Sequence, residues 1–176
     1  MRTMKYCLAA MMVTAPVAAQ TTSPTGGTVP EADPADVAST DAITAALYES
    51  ISGPAGEERD WDRFRSLFLP EAKLIPSFIR QGNTKVEALV WSVEDYIDGP
   101  GQGLETNGFF EREIKAVEER FESIAHRFST YDSERTPDGE VIAKGINSIQ
   151  LLWDGDRWWI VNIFWRGVGP EYQMGQ

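Results

Sequence analysis

His126 is the only histidine in the chain. Imidazole gives and takes protons near neutral pH, so this residue is the first candidate for acid or base chemistry. By the period of two of a strand, it shares a face with Ile124 and Phe128. On a curved sheet covered by helices, a face of that kind lines a cavity. The plainer alternative is a core histidine satisfied by a neighbour. Asn147 and Asn162 form a second candidate pair. A two-residue turn at Asp154-Gly155 would set them opposite each other, with Gln150 opposite Trp159. Amides on a cavity face orient the polar group of a ligand, or else bridge two strands and fix their register. Tyr48, Trp61 and Tyr96 project from helical segments and offer an apolar body with a polar tip, which serves a pocket mouth or a core equally well. Asp62 is a candidate orienting group for His126, although Asp60 and Asp62 in a first helical turn are already explained by the helix dipole. The run Glu111-Arg112-Glu113 and the run Glu118-Glu119-Arg120 read as solvated, mixed-charge surface.

The elements that position these residues are mostly short. Ser39 caps a helix carrying Ile43, Ala46, Leu47 and Ile51 on one face, and Gly53-Pro54 stops it. Asp60 caps a second helix with Trp61, Phe64, Leu67 and Phe68 along one stripe, ended by Pro70. Residues 72–80 and 86–91 are expected as a strand pair, with Pro76 marking an edge or bulge. Ser92 and Asp95 form a capping box for a third helix that ends at Gly99-Pro100-Gly101, before a glycine-rich loop over 101–108. Three long strands follow: 115–131, 141–153 and 157–165. The turns between them are at Thr136-Pro137-Asp138-Gly139 and Asp154-Gly155. The expected fold class is α+β: a curved antiparallel sheet covered by N-terminal helices.

The 176 residues suffice for one domain. A formal net charge of -11 argues against a nucleic-acid partner, because phosphate binding needs clustered lysine and arginine. It also disfavours anionic membrane surfaces. The one cysteine, Cys7, belongs to the leader, so cysteine nucleophiles and cysteine metal sites are excluded from the folded part. Calcium loops, phosphate loops, dinucleotide motifs and serine-nucleophile motifs are absent, and no cofactor or metal is expected.

Residues 1–19 have a positive head (Arg2, Lys5), a short apolar run and the small-residue exit Val17-Ala18-Ala19. These are the parts of a signal peptide cleaved after Ala19, followed by a flexible leader over 20–38. The expected location is therefore periplasmic or secreted. The domain is expected over 39–168, with a tail over 169–176.

The order of elements and several strings resemble a known group. The strings are Ala46-Leu47-Tyr48, Asp60-Trp61-Asp62-Arg63-Phe64, Asn107-Gly108-Phe109-Phe110-Glu111, Ile124-Ala125-His126, Gly145-Ile146-Asn147-Ser148 and Arg157-Trp158-Trp159-Ile160-Val161. Over roughly residues 39–166 the chain is similar to the nuclear transport factor 2-like superfamily, which includes ketosteroid isomerase-like and polyketide cyclase-like proteins. Within it, the chain resembles a secreted bacterial branch. The resemblance implies a cone-shaped domain with a pocket between helices and sheet. It does not by itself imply an activity, because such scaffolds carry many. The isomerase pattern implies a tyrosine and a neutral acid facing an enolate, plus a carboxylate base, and these roles do not map residue by residue onto this chain. The expected function is binding of a small, largely apolar molecule outside the cytoplasm. One alternative is isomerase-, cyclase- or hydrolase-like catalysis with His126 as acid or base. Another is a non-catalytic homodimer through the sheet, favoured if Trp159 or Trp165 is exposed.

Overall fold

The computed structural model describes residues 18–169. Residues 1–17 of the expected signal peptide (1–19), and all of the expected tail (169–176) but its first residue, lie outside the described residues. Four helical segments cover one face of a six-stranded sheet. Helix α1 (Thr40–Ile51) is capped by Ser39, whose Oγ accepts from Ala42 N. Helix α2 (Trp61–Ser66) is capped by Asp60 through Arg63 N. Each helix buries one stripe, with Ile43, Leu47 and Ile51 from α1 and Phe64 from α2 in a shared core. No helix among the described residues is long and apolar enough to cross a membrane.

Segment 20–38, expected as a flexible leader, is folded. Strands β1 (Gln20–Thr22) and β2 (Thr28–Pro30) pair as a small ribbon, and a 3-10 turn follows at Pro34–Val37. Val29, Ala32 and Val37 are buried in the main core, and that burial orders a segment whose composition reads as a linker.

Helix α2 stops at Ser66, before Pro70, because the chain is drawn into the sheet there: Ile160 N donates to Leu67 O at 2.9 Å. Strand β3 (Phe68–Ile79) therefore starts earlier than expected and contains both Pro70 and Pro76. Strand β4 (Val86–Ala88) pairs with its far end, and Trp91 meets Leu74 through an isolated bridge. Helix α3 (Val93–Tyr96) has the expected capping box between Ser92 and Asp95. It does not end at the Gly-Pro-Gly sequence. A π turn at Ile97–Gly101 absorbs Pro100 and leads straight into α4 (Gln102–Asn107), so the expected glycine-rich loop is helical. Gly101 is needed for a close approach, since a Cβ there would sit 2.9 Å from the Trp61 ring.

The segment expected as one strand over 115–131 is a hairpin. Its strands are β5 (Phe110–Phe121) and β6 (Ile124–Glu134), joined through Glu122 at φ 49°. Strands β7 (Val141–Trp153) and β8 (Trp158–Val168) complete the order β4-β3-β8-β7-β6-β5. All neighbours are antiparallel except β3 and β8, which run parallel, so the sheet is mixed and not purely antiparallel.

Two irregularities fix which side chains face the helices. In β5, Glu113 pairs with Tyr131 and Lys115 with Thr130, so Ile114 is an extra residue. Before it, odd-numbered residues point inward; after it, even-numbered residues do. Glu113 and Glu118 thereby reach the same inner face. In β8, Val161 is the extra residue between the pairs Gln150–Asn162 and Leu151–Ile160. The β7–β8 connection also runs over four residues, Asp154 to Arg157. The Asp154 Oδ1 accepts from Asp156 N and Arg157 N at 2.8 Å each and holds this longer loop.

Candidate functional site: a cavity around Glu111

Between α1, the α3–α4 segment and the inner sheet face lies a cavity of about 330 Å³. Its walls are mostly apolar, with Leu47, Phe64, Trp91, Phe109, Ile163 and Trp165 among them. Its polar groups are few and convergent: Tyr48 from α1, Tyr96 from α3, Glu111 from β5, Tyr131 and Ser133 from β6, and Asn147 from β7. A concave apolar site with a small polar cluster is the usual form of a small-molecule site.

Glu111 is the centre of that cluster. Ser133 Oγ donates to its Oε2 at 2.8 Å, and Asn147 Nδ2 donates to its Oε1 at 3.4 Å. No cation among the described residues pairs with it. Burial pushes its pKa up to about 7, against the pull of the Ser133 and Asn147 hydrogen bonds. The residue keeps some accessible surface, because its carboxylate faces the cavity and an adjoining open groove between α1 and β5. A carboxyl group in this condition exchanges a proton at neutral pH and so can act as a base or an acid.

The hydrogen bonds continue outward from Glu111 in one direction. Asn147 Nδ2 also donates to Tyr48 Oη at 3.0 Å. Tyr48 Oη lies 2.7 Å from Ser129 Oγ, and Ser129 Oγ donates to Glu113 Oε2 at 2.5 Å. Ser129 thus spends its only proton on Glu113, and Tyr48 must be the donor to Ser129. Glu113 then takes two bonds from the buried Arg127, which also pairs with Glu118 and Asp41. Burial alone would raise the Glu113 pKa; the Arg127 and Ser129 bonds outweigh it and hold it below the ordinary carboxylate range. Two glutamates on one strand thus have opposite characters, Glu113 a fixed anion and Glu111 a titratable group. Tyr48, Tyr96 and Tyr131 are all pushed above the ordinary phenol value, first by burial and then by the Glu111 charge. All three stay protonated donors at neutral pH.

Of the residues singled out from the sequence, Tyr48, Tyr96 and Asn147 line the cavity together. Trp61 does not: its Nε1 donates to Glu105 Oε1 at 2.7 Å and its ring packs edge-on against Phe64. His126 stands on the opposite, outer face of the sheet. Its Nε2 lies 2.8 Å from Ser148 Oγ, and it is exposed beside Phe128, across from Glu119. It borders a separate open trough of about 700 Å³. Asn162 is also on the outer face, donating to Gln150 Oε1 at 2.8 Å. Asn147 and Asn162 are not partners, because the longer loop and the extra Val161 shift the register: Asn147 lies opposite Trp165 and Asn162 opposite Gln150. Asp62 pairs with Arg65 and makes no contact with His126. Glu111 was hidden in a charge run. The available signal was its alternation with Glu113 next to Phe109 and Phe110, which places two acids on one face of a strand.

Helices packed on one face of a curved six-stranded sheet, with a cavity between them, make a fold that is also seen in nuclear transport factor 2-like proteins. Solved structures share it. A nuclear transport factor 2-like protein of unknown function from Silicibacter pomeroyi is 14% identical, with 74% of this chain and 94% of that chain covered at a TM-score of 0.51. A protein of unknown function with a cystatin-like fold from Nostoc punctiforme is 14% identical, over 73% and 87% of the two chains, at 0.55. A type 2 hexachlorocyclohexane dehydrochlorinase is 8% identical, over 74% and 82%, at 0.50. No protein-family model matches the chain. No curated protein matches it either.

Proposed function

We propose that this protein, in exported form, binds a small, largely apolar molecule in the cavity and sets the polar end of that molecule against Glu111. The observation that carries the reading is an uncompensated carboxylate inside an aromatic-lined cavity, with the Tyr96 and Tyr131 hydroxyls left without partners among the described residues. Filled polar sites are self-satisfied; this one keeps an acceptor and two donors for something else. Where the bound molecule carries a transferable proton, Glu111 is the group that exchanges it, in the role first assigned to His126.

A thermal-shift screen against steroids, aromatic polyketide-like compounds, fatty acids and amines tests this. Ala143→Phe, which fills the cavity, serves as the control. A ligand at a hundredfold excess over its Kd stabilises by about 2.7 kcal/mol, which raises Tm by roughly 5 to 10 °C in a chain of this size. The expected result is such a shift in the wild type and none in Ala143→Phe. Equal shifts in both proteins, or none across the panel, count against the cavity as a binding site.

A second reading is supported by the outer face of the sheet. Val117, Phe128, Ser148 and Phe164 form one row across β5–β8, and Phe121 and Ile124 extend it. Five of these side chains are exposed apolar residues, with Phe121 at 71%. A patch of this kind marks a contact surface, and we propose that a second copy of the chain covers it. The expected tryptophans are not part of it. Trp159 is buried, and Trp165 faces the cavity.

A further inference from the structure

The chemical class of the ligand is written in the walls of the Glu111 cavity. No lysine, arginine or histidine lines it, so its carboxylate has no countercharge inside. Three rings enclose one side. Trp91 and Trp165 have centroids 6.1 Å apart and are inclined by 50°. Trp91 and Tyr96 are 6.4 Å apart at 58°, and Tyr96 and Trp165 are 6.4 Å apart at 79°. The three rings pack against one another and line the same cavity as Glu111. Phe64, also in the cavity wall, stacks on Tyr96 at 5.4 Å. Aromatic faces attract a desolvated cation, and a cation stabilises the ionised form of a carboxyl group in an apolar cavity. Anionic ligands are opposed by Glu111 in the cavity, while the adjoining groove carries both signs of charge, Asp41, Glu49 and Glu113 beside Arg112 and Arg127.

We propose that the molecule this cavity takes is an organic cation, an amine or quaternary ammonium on an apolar body, held between the Trp91–Tyr96–Trp165 rings and the Glu111 carboxylate. This rests on the reading of the cavity as a ligand site and names the charge of the ligand. A neutral ligand leaves Glu111 to be neutralised by a proton, whereas a cation pairs with the ionised carboxylate and with the rings together.

Choline and 3,3-dimethylbutan-1-ol share shape and differ in charge, so they isolate this point. Titration calorimetry of the full chain at pH 8 is expected to show choline binding tighter than the alcohol by about tenfold or more. In Glu111→Gln that preference is expected to shrink to a few-fold. A quaternary ammonium cannot itself titrate. Its affinity is therefore expected to fall about tenfold from pH 8 to pH 6, as Glu111 takes up a proton. Equal affinities for the two probes, both lost in Ala143→Phe, overturn the cation inference and leave the binding site standing. Binding of neither probe also overturns the inference, and the fate of the site itself is then decided by the neutral members of the thermal-shift panel. Choline binding that survives unchanged in both Glu111→Gln and Ala143→Phe places the cation elsewhere and overturns it as well.

Discussion

Glu111 is held at a pKa of about 7 in the fold, against 4.5 for an ordinary glutamate, by burial. The native state thus keeps a proton that the unfolded chain gives up in the window between those values. Stability contributed by this group is full below the unfolded value and is lost as pH rises towards 7. At about 1.4 kcal/mol per pKa unit, the ionised carboxylate costs the native state roughly 3 kcal/mol above pH 7. Glu111→Gln removes that penalty while keeping an acceptor for Ser133. Urea unfolding is expected to find the variant more stable than the wild type by up to roughly 3 kcal/mol at pH 8, with little difference at pH 5. A gap that is the same at both pH values would mean that Glu111 titrates like an exposed glutamate. Arg127 is the opposite case. It is a buried cation shared by Glu113, Glu118 and Asp41, and Arg127→Ala is expected to destabilise by about 3 kcal/mol in the same assay, because Glu113 is left without its cation.

At the scale of elements, parity decides what faces the cavity. In β6 the odd residues Ala125, Arg127, Ser129, Tyr131 and Ser133 are buried, and the even residues Ile124, His126 and Phe128 are exposed. Hydrophobic patterning alone favours the other choice, which is why His126 looked like a cavity residue. The inner face is polar here because Arg127, Ser129 and Ser133 bond to Glu113, Glu118 and Glu111 on β5, and polar groups paired in this way can be buried. The extra residue Ile114 in β5 completes that network, and a one-residue bulge leaves little mark in a sequence. Gly145 in β7 has a plainer role. A Cβ there would run into the Tyr131 phenol and the Arg166 carbonyl. Gly145→Ala is expected to cost about 1 to 3 kcal/mol in thermal or urea unfolding and to weaken any ligand that meets Tyr131. Unchanged stability together with unchanged binding would show that the strands and the ring can part without loss.

At the scale of the whole molecule, the two faces of one sheet differ in character, and a separate task is proposed for each. The inner face forms the cavity, and the outer face presents an apolar row that a second copy is proposed to cover. Sedimentation at micromolar concentration is expected to give a dimer for the wild type and a monomer for Phe128→Asp combined with Phe164→Asp. A monomeric wild type would remove the dimer reading and leave the cavity untouched, since neither phenylalanine lines it.

The sequence by itself determined the local features. Ser39, Asp60 and the Ser92–Asp95 box start the helices as expected, and the Thr136–Gly139 turn separates two strands. It also carried the resemblance that named the cone-shaped fold, and it placed Tyr48, Tyr96 and Asn147 among the residues of interest. These depend on contacts a few residues apart, where side-chain chemistry acts directly on the nearby backbone. Only the tertiary structure decided the rest. The parallel pairing of β3 with β8 joins segments far apart in the chain. The folding of 20–38 depends on a core to which that segment adds only Val29, Ala32 and Val37. The register that separates Asn147 from Asn162 follows from one loop and one bulge. Glu111 acquires its character from neighbours on α1, β6 and β7, because a carboxyl group's proton affinity is set by the solvent and charges around it and not by the residues beside it in sequence.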